Sequence, residues 1–424
     1  MKKMKYSGVE WIGEIPEDWR IVKVKQAFVR KNEKAQQENP VVLSLARSGV
    51  RVRDVSTNEG QVAESYYNYN PVSVGDLLLN PMDLYSGANC SLSEVEGVIS
   101  PAYVNLKNKE GYFSKFYDYY FKVQYWMMVL FAHGKGVSFD NRWTLNHETL
   151  MNFPIVSPDF KTQKHIADFL DDKCGKIDRY IEKQQQIIDK LKEYKQAVIT
   201  EAVTKGLDPD VPMKDSGIEW IGMIPEHWDV PEIKYLVRIA SGGTPDRNHP
   251  EYWNGNIPWI KTGELQNDII TNAEECITEE GLNNSSAQVF NINTILVAMY
   301  GQGKTRGMTA LLKTPASTNQ ACAGLTVTNS NVQIEYLWQC LIGAYDAIRS
   351  EAAGSGQPNL SATLIGNFHI ALPPIEEQGL IVEYIKDKTV EIKSTIHKAE
   401  KLLVKLTEYK KSLIYEAVTG KLEV

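Results

Sequence analysis

The phrase WIGEIPEDW, Trp11 to Trp19, returns as WIGMIPEHW, Trp220 to Trp228. Two Trp and a Pro at matched places do not recur through composition, so the phrase marks an internal repeat, and a repeat constrains the architecture before any single motif does. Further on, NFPI (Asn152 to Ile155) returns as NFHI (Asn367 to Ile370). Two long helical patterns follow, Gln163 to Leu207 and Gln378 to Leu422. The order of phrase, globular region, long helix and linker is therefore written twice, with the second globular region about six residues longer.

Both helical patterns carry a heptad seam, apolar residues stepping by threes and fours as in coiled coils. The first seam is Leu170, Cys174, Ile177, Ile181, Gln184, Ile188, Leu191 and Val198. A shift of 215 residues lands on Ile385, Thr389, Ile392, Ile396, Ala399, Leu403, Leu406 and Leu413. A helix of about 40 residues reaches roughly 60 Å and must cover its stripe with a partner. The economical partner is the other copy, which predicts two long helices packed antiparallel as a coiled coil in a pseudo-twofold tandem repeat. Gly175 is a weak point in the first, costing about 1 kcal/mol relative to Ala. Thr204 to Gly217, rich in Gly, Asp and Pro, reads as a surface linker.

The expected organisation is a globular domain over 1–160, a long helix over 161–203, a linker over 204–217, a second globular domain over 218–376 and a second long helix over 377–424. Within the globular regions, Val41 to Ala46, Gly75 to Asn80, Gly97 to Leu106, Asn293 to Met299 and Gln320 to Val327 read as buried strands. Lys115 to His133 and Ile334 to Ser350 read as apolar-faced helices, each followed by a Gly-rich turn. The expected fold class is α+β, two similar α/β domains with two long helices.

Bulk properties exclude several classes. Hydrophobic content of 43% with 23% charged residues suits a soluble globular chain, and no run of about 18 apolar residues could span a bilayer. MKKMKYSGVEW lacks the apolar stretch of a secretory signal. Cys90, Cys174, Cys276, Cys322 and Cys340 show no CxxC spacing, which suits free thiols in a reducing cytoplasm and implies no metal. The net charge of −7 argues mildly against a polyanionic partner, but DNA senses a local face rather than a total.

No catalytic set assembles from spacing. AMYGQGKT, Ala298 to Thr305, fits a relaxed phosphate loop, but Arg306, Gly307 and strand-like MTALL follow where a helix N-terminus is needed to receive phosphate. LLLNPMDLY lacks the second proline of an amino-methyltransferase loop, and no Gly-rich turn supplies a methyl-donor site.

Loop chemistry points instead to DNA. Arg47, Arg51 and Arg53 crowd RSGVRVR; Lys135, Asn141 and Arg142 occupy GKGVSFDNR; Lys304 and Arg306 sit among glycines in GQGKTRG; Asn319 and Gln320 close TNQ. Thr244 of IASGGTP and Lys261 complete the candidates. Arg and Lys pair with guanine edges, Asn and Gln with adenine, and glycines let a loop approach a groove. These clusters are expected at matching loops of the two copies. The second region, Asp229 to Glu377, is acidic, with Glu274, Glu275, Glu279 and Glu280 clustered, and that part is expected to face away from phosphate.

SGVEWIGEIPEDW with SGIEWIGMIPEHW, IASGGTP, PASTNQACAGL, LPPIEEQ, and helices ending ITEAVTKGL and IYEAVTGKL together resemble the specificity subunits of Type I restriction-modification systems. The resemblance runs over essentially the whole chain. It implies a non-catalytic DNA-recognition subunit whose two target-recognition domains each read one half of a split, asymmetric site, with the paired helices fixing the gap. It implies two modification subunits that bring S-adenosylmethionine and methylate adenine, restriction subunits that bring ATP and Mg for translocation and cleavage, and no cofactor bound by this chain. The competing readings are a coiled-coil adaptor that reads no DNA and a phosphate-loop ATPase.

Overall fold

A computed structural model describes residues 3–55, 63–82, 84–85, 89–136, 143–301, 303–351 and 359–424. Two compact units emerge, and they do not follow chain order. One comprises Met1–Gln185 with Lys401–Val424, the other Gln186–Glu400. Each contains one globular region and a part of each long helix, Phe160–Lys205 and Ile375–Val418.

The repeated phrase forms the same device in both units. Met4–Tyr6 pairs antiparallel with Glu14–Pro16, and Met213–Asp215 with Met223–Pro225. Trp11 stacks on Phe153 at 5.6 Å and Trp220 on Phe368 at 5.4 Å, so the NFPI and NFHI segments close onto the phrases that open each region. Trp19 and Trp228 are fully buried.

In the first unit the central sheet is antiparallel, in the order Phe28–Arg30, Val104–Asn108, Leu77–Leu79, Cys90–Leu92. The second unit repeats that order with Val237–Ser241, Cys322–Val327, Ile295–Ala298 and Thr309–Leu312, then adds Asp268–Ile270 in parallel. Leu77–Leu79 and Ile295–Ala298 are buried at every residue, which is why they read as unbroken apolar runs. A further sheet of the second unit, Glu275–Ile277, Trp253–Ile260 and Ser317–Thr318, has a smaller counterpart in the first, where Gly49–Val52 pairs antiparallel with Leu43–Ala46 and a parallel bridge from Val42 to Val98 leads to Gly97–Ile99.

Two sequence expectations need correction. Gly97 to Leu106 is two strands, Gly97–Ile99 and Val104–Asn108, in different sheets. Pro101 has no N–H for a ladder, and the Tyr103 N–H turns back to the Ser100 carbonyl at 3.0 Å. The two expected helices are also broken, into Ser114–Trp126 with Val129–Ala132 and Ile334–Gly343 with Tyr345–Ser350. Met128 takes a left-handed φ of 58° at the first break.

The long helices pack antiparallel within each unit. In the first, Ala167, Leu170, Cys174 and Ile177 share a core with Leu413, Ile414, Ala417 and Val418, the start of one helix against the end of the other. In the second, Ile199, Ala202 and Val203 share a core with Ile381 and Ile385. Of the seam positions, Leu170, Ile177, Ile188, Val198, Ile385, Ile392 and Leu413 are buried. Ile181, Leu191, Ile396, Leu403 and Leu406 are half-buried.

A left-handed glycine follows each helix, Gly206 at φ 74° and Gly420 at φ 73°, as helix ends favour. A Cβ on Gly420 would meet Pro16 Cδ at 2.5 Å and Trp19 at 3.1 Å; one on Gly206 would meet Trp228 at 3.1 Å. The opening phrase of the chain thus docks on the end of the second long helix, and the second phrase on the end of the first. Gly420→Val should lower unfolding free energy by roughly 2–4 kcal/mol, from left-handed strain plus overpacking. Gly8→Ala, at φ 80° with open space around it, should cost only about 1–2 kcal/mol. Denaturant unfolding monitored by tryptophan fluorescence checks both.

Candidate nucleic-acid interface

In the second unit the glycines of IASGGTP bring two loops into backbone contact. A Cβ on Gly242 would lie 2.2 Å from the Thr318 carbonyl, so only glycine permits this approach. The Gly243 N–H donates to that same carbonyl at 2.8 Å. Thr244 is thereby set beside Gln320, and its Oγ1 donates to Gln320 Oε1 at 2.5 Å, which leaves the Gln320 amide N–H groups as donors. Next to it, Asn319 is half-buried, and its Oδ1 has no hydrogen-bond partner among the described residues. The Gln320 amide is exposed and can donate to a base edge, whereas Asn319 Oδ1 is shut off from solvent.

The Met299 N–H donates to the Ala321 carbonyl at 2.8 Å, rooting the GQGKTRG loop beside that pair. Gly301, Gly303 and Gly307 all have positive φ, which explains the glycine spacing. Two side chains that sequence reasoning missed clamp the loop. Arg349 donates to the carbonyls of Arg306 at 2.7 Å and Gly303 at 2.9 Å, and Tyr345 donates to that of Lys304 at 2.6 Å. Lys304 remains exposed, and Arg306 is half-buried. The loop leads into strand Thr309–Leu312, so no helix N-terminus faces it as a phosphate loop requires.

Lys261 belongs to a different setting. Its Nζ bonds Glu274 at 2.9 Å and Glu275 at 3.0 Å, and those bonds hold its pKa above the ordinary lysine value. Glu275 also pairs with Arg247 at 2.7 Å, and that bond, followed by the one to Lys261, lowers its pKa. The Arg247 guanidinium stacks 3.7 Å from the Trp253 ring centre. Part of the acidic cluster is thus consumed in ion pairs, and the charge of Lys261 is compensated.

In the first unit, Arg47 and Arg51 are exposed on the hairpin formed by Leu43–Ala46 and Gly49–Val52, and Arg51 Nε reaches Ser44 Oγ at 3.4 Å. Arg53 is half-buried beyond the hairpin, its N–H donating to the Val42 carbonyl at 2.8 Å. Beside it lies a cavity of about 480 Å³ lined in part by Ser44, Arg53, Tyr69, Met82 and Tyr103. Lys135 is exposed where its backbone bridges Thr144, on a separate loop; Asn141 and Arg142 lie outside the described residues.

The clusters do not sit at matching loops. The counterpart of the Lys304 loop, following Leu77–Leu79, is 80–89, and its sequence contains neither Lys nor Arg. The arginine hairpin instead precedes its central strand, as the Arg247 and Lys261 segment precedes Ile295–Ala298. All five cysteines are free. Among the described residues no group of His, Cys, Asp or Glu is arranged to hold a metal, and no helix is long and apolar enough to cross a membrane.

One frame built twice, each copy closed by both long helices and each carrying its own polar loops, defines a tandemly duplicated α+β protein. Residues 225–404 match the family described as Type I restriction modification DNA specificity domain. The chain is 31% identical over 196 residues to the Type I restriction enzyme MjaIX specificity subunit of Methanocaldococcus jannaschii, a match spanning 44% of each chain. It is 24% identical to the MjaVIII specificity subunit of the same organism over 97% of this chain and 94% of that one. A chain from a solved structure describing assembly and conformational transition of the type I R-M system superposes with a TM-score of 0.71 at 14% identity, covering 96% of this chain and 99% of its own; that likeness concerns the fold. Over residues 225–404 and in its overall fold the chain is similar to specificity subunits of Type I restriction-modification systems.

Arg349→Ala should release the GQGKTRG loop. Loss of charge-assisted bonds, each worth roughly 1.5–3 kcal/mol, should speed amide exchange in 301–307 at least about tenfold while the sheet stays protected. Hydrogen-exchange mass spectrometry reads both regions together.

Proposed function

We propose that the chain is the DNA-recognition subunit of a Type I restriction-modification complex. Each unit reads one half of a bipartite, asymmetric target. The observation that carries this reading is the shared sheet order bearing unlike polar loops: an arginine hairpin in one unit, and Thr244, Asn319 and Gln320 beside the Lys304 loop in the other. Partner subunits supply the chemistry: modification subunits bring S-adenosylmethionine and methylate adenine, and restriction subunits bring ATP and Mg. The chain itself performs no catalytic step and holds none of these cofactors, and the complex works in the cytoplasm.

Exposed apolar residues on the long helices support docking of modification subunits. Ile187 and Tyr194 stand seven residues apart and exposed in one unit; Leu402 and Tyr409 stand likewise in the other, at equivalent positions of the repeat. Apolar side chains in such a row suit a partner surface, and two equivalent rows suit two modification subunits. A coiled-coil adaptor would also use these rows, but it would give no account of the exposed Gln320 amide that Thr244 orients.

Methylated bases mapped genome-wide with the modification subunit present should reveal adenine modification in a two-part motif; a continuous motif, or none, would sink the reading. Gln320→Ala should relax one base position, costing about 1–3 kcal/mol of discrimination, and leave the half-site read by the first unit unchanged. Lys304→Ala should weaken binding to all sequences and lower the salt dependence by about one phosphate equivalent. Removing one heptad from each long helix should change the spacer of the motif or abolish assembly.

A further inference from the structure

The entrances to the two long helices are built alike around a buried glutamine. Gln163 accepts the Phe113 N–H at 2.8 Å and donates to the Pro158 carbonyl at 2.8 Å; Gln378 accepts the Gln333 N–H at 2.8 Å and donates to the Pro373 carbonyl at 2.9 Å. This equivalence aligns the preceding residues, Thr162 in the first copy and Glu377 in the second.

In the second copy the Glu377 carboxylate is an acceptor for the repeated phrase. Trp228 Nε1 donates to Glu377 Oε2 at 3.0 Å, and His227 Nε2 bonds Oε1 at 2.7 Å. The first copy keeps the tryptophan and changes its partners. Trp19 is as buried as Trp228, at 1% exposure, and its Nε1 has no hydrogen-bond partner among the described residues. Thr162 turns to Asp159 instead, its Oγ1 donating to Oδ2 at 2.6 Å and its N–H to Oδ1 at 3.0 Å. Asp18 stands in place of His227. Beside Trp19 opens a cleft of about 350 Å³, whose walls include Lys161, Thr162, His165, Gly420 and Leu422.

We propose that this cleft binds a carboxylate, placed where Glu377 places its own in the second copy, with Trp19 Nε1 as donor and Lys161 and His165 at the rim. A buried indole N–H needs an acceptor, and the repeat shows which chemical group fits this one. Thr162 is too short to reach as Glu377 does and is already engaged. Asp159 in the same turn keeps both oxygens on Thr162, and its charge, with that of Asp18, favours a singly charged ligand over a dianion such as sulfate. The carboxylate comes from a small monocarboxylic acid or from an Asp or Glu of a partner subunit. The site is independent of the DNA-reading loops.

The test follows the indole N–H resonances of the full chain, with Trp19 assigned through Trp19→Phe and Trp228 as internal reference. Sodium acetate should shift the Trp19 resonance saturably; sodium chloride at equal ionic strength should not, and sulfate should act more weakly than acetate. Thr162→Glu should move that resonance without acetate and weaken the acetate response at least about tenfold, because its own carboxylate takes the donor. Lys161→Ala, on the exposed rim, should weaken acetate binding while leaving Trp228 unmoved, and it serves if Thr162→Glu does not fold. A Trp19 resonance that treats acetate as it treats chloride overturns the proposal. Addition of modification subunits without acetate separates the sources: the same shift there assigns the carboxylate to the partner, and a shift with acetate alone assigns it to a free acid.

Discussion

Neither globular region closes its core without the apolar residues of both long helices. Leu170 and Ile177 arrive from one helix and Leu413, Ile414, Ala417 and Val418 from the other to complete the first core; Ile199, Ala202, Val203, Ile381 and Ile385 do the same in the second. A lone helix with such a stripe holds little structure of its own in water, because packing of the apolar face supplies most helical stability. The duplication is therefore obligatory rather than decorative. Each copy of the helix needs its counterpart, and each phrase needs the glycine at a helix end, Gly420 for the first and Gly206 for the second.

With the frame held by buried positions, variation is confined to what the frame leaves at its edges. Ile295–Ala298 and Leu77–Leu79 lie between neighbours on both sides and covered on both faces, so substitution there disturbs packing directly. In each of the loops that follow them, a tyrosine holds a backbone carbonyl. Tyr125 donates to the Asn80 carbonyl in the first unit, as Tyr345 does to that of Lys304 in the second. A loop anchored through carbonyls can change its side chains freely, because the anchoring bonds do not depend on side-chain identity.

The repeat was legible because it is written in rare residues, and the seam because its period is local. Breaks inside elements were less legible. The arrest of the first globular helix at Met128 rests on a left-handed backbone at a residue that gives no sign of it, and the split of Gly97 to Leu106 rests on Pro101 inside an otherwise apolar run. Candidate residues were legible by type but not by pairing. Lys261 reads as a free cation until the fold brings Glu274 and Glu275 against it, and Arg349 reads as an ordinary helix-end charge until the fold places it under the carbonyls of Gly303 and Arg306. Such pairings join residues far apart in the chain, where neither period nor propensity carries information.

Charge pairing also explains how a chain of net charge −7 can serve as a reader on the function proposed above. In the second unit the Arg247, Glu275, Lys261 and Glu274 network spends cations on glutamates, so that segment offers little to phosphate. What remains includes the Thr244 and Gln320 pair, which is directional, and Lys304 on a clamped loop. Hydrogen-bond donors and acceptors discriminate bases, whereas phosphate contacts bind every sequence alike. On the proposed function, a segment built this way adds selectivity more than non-specific affinity, and phosphate neutralisation falls to other surfaces of the complex. On that function, strong recognition therefore requires the assembled complex, because most non-specific affinity for DNA comes from phosphate neutralisation.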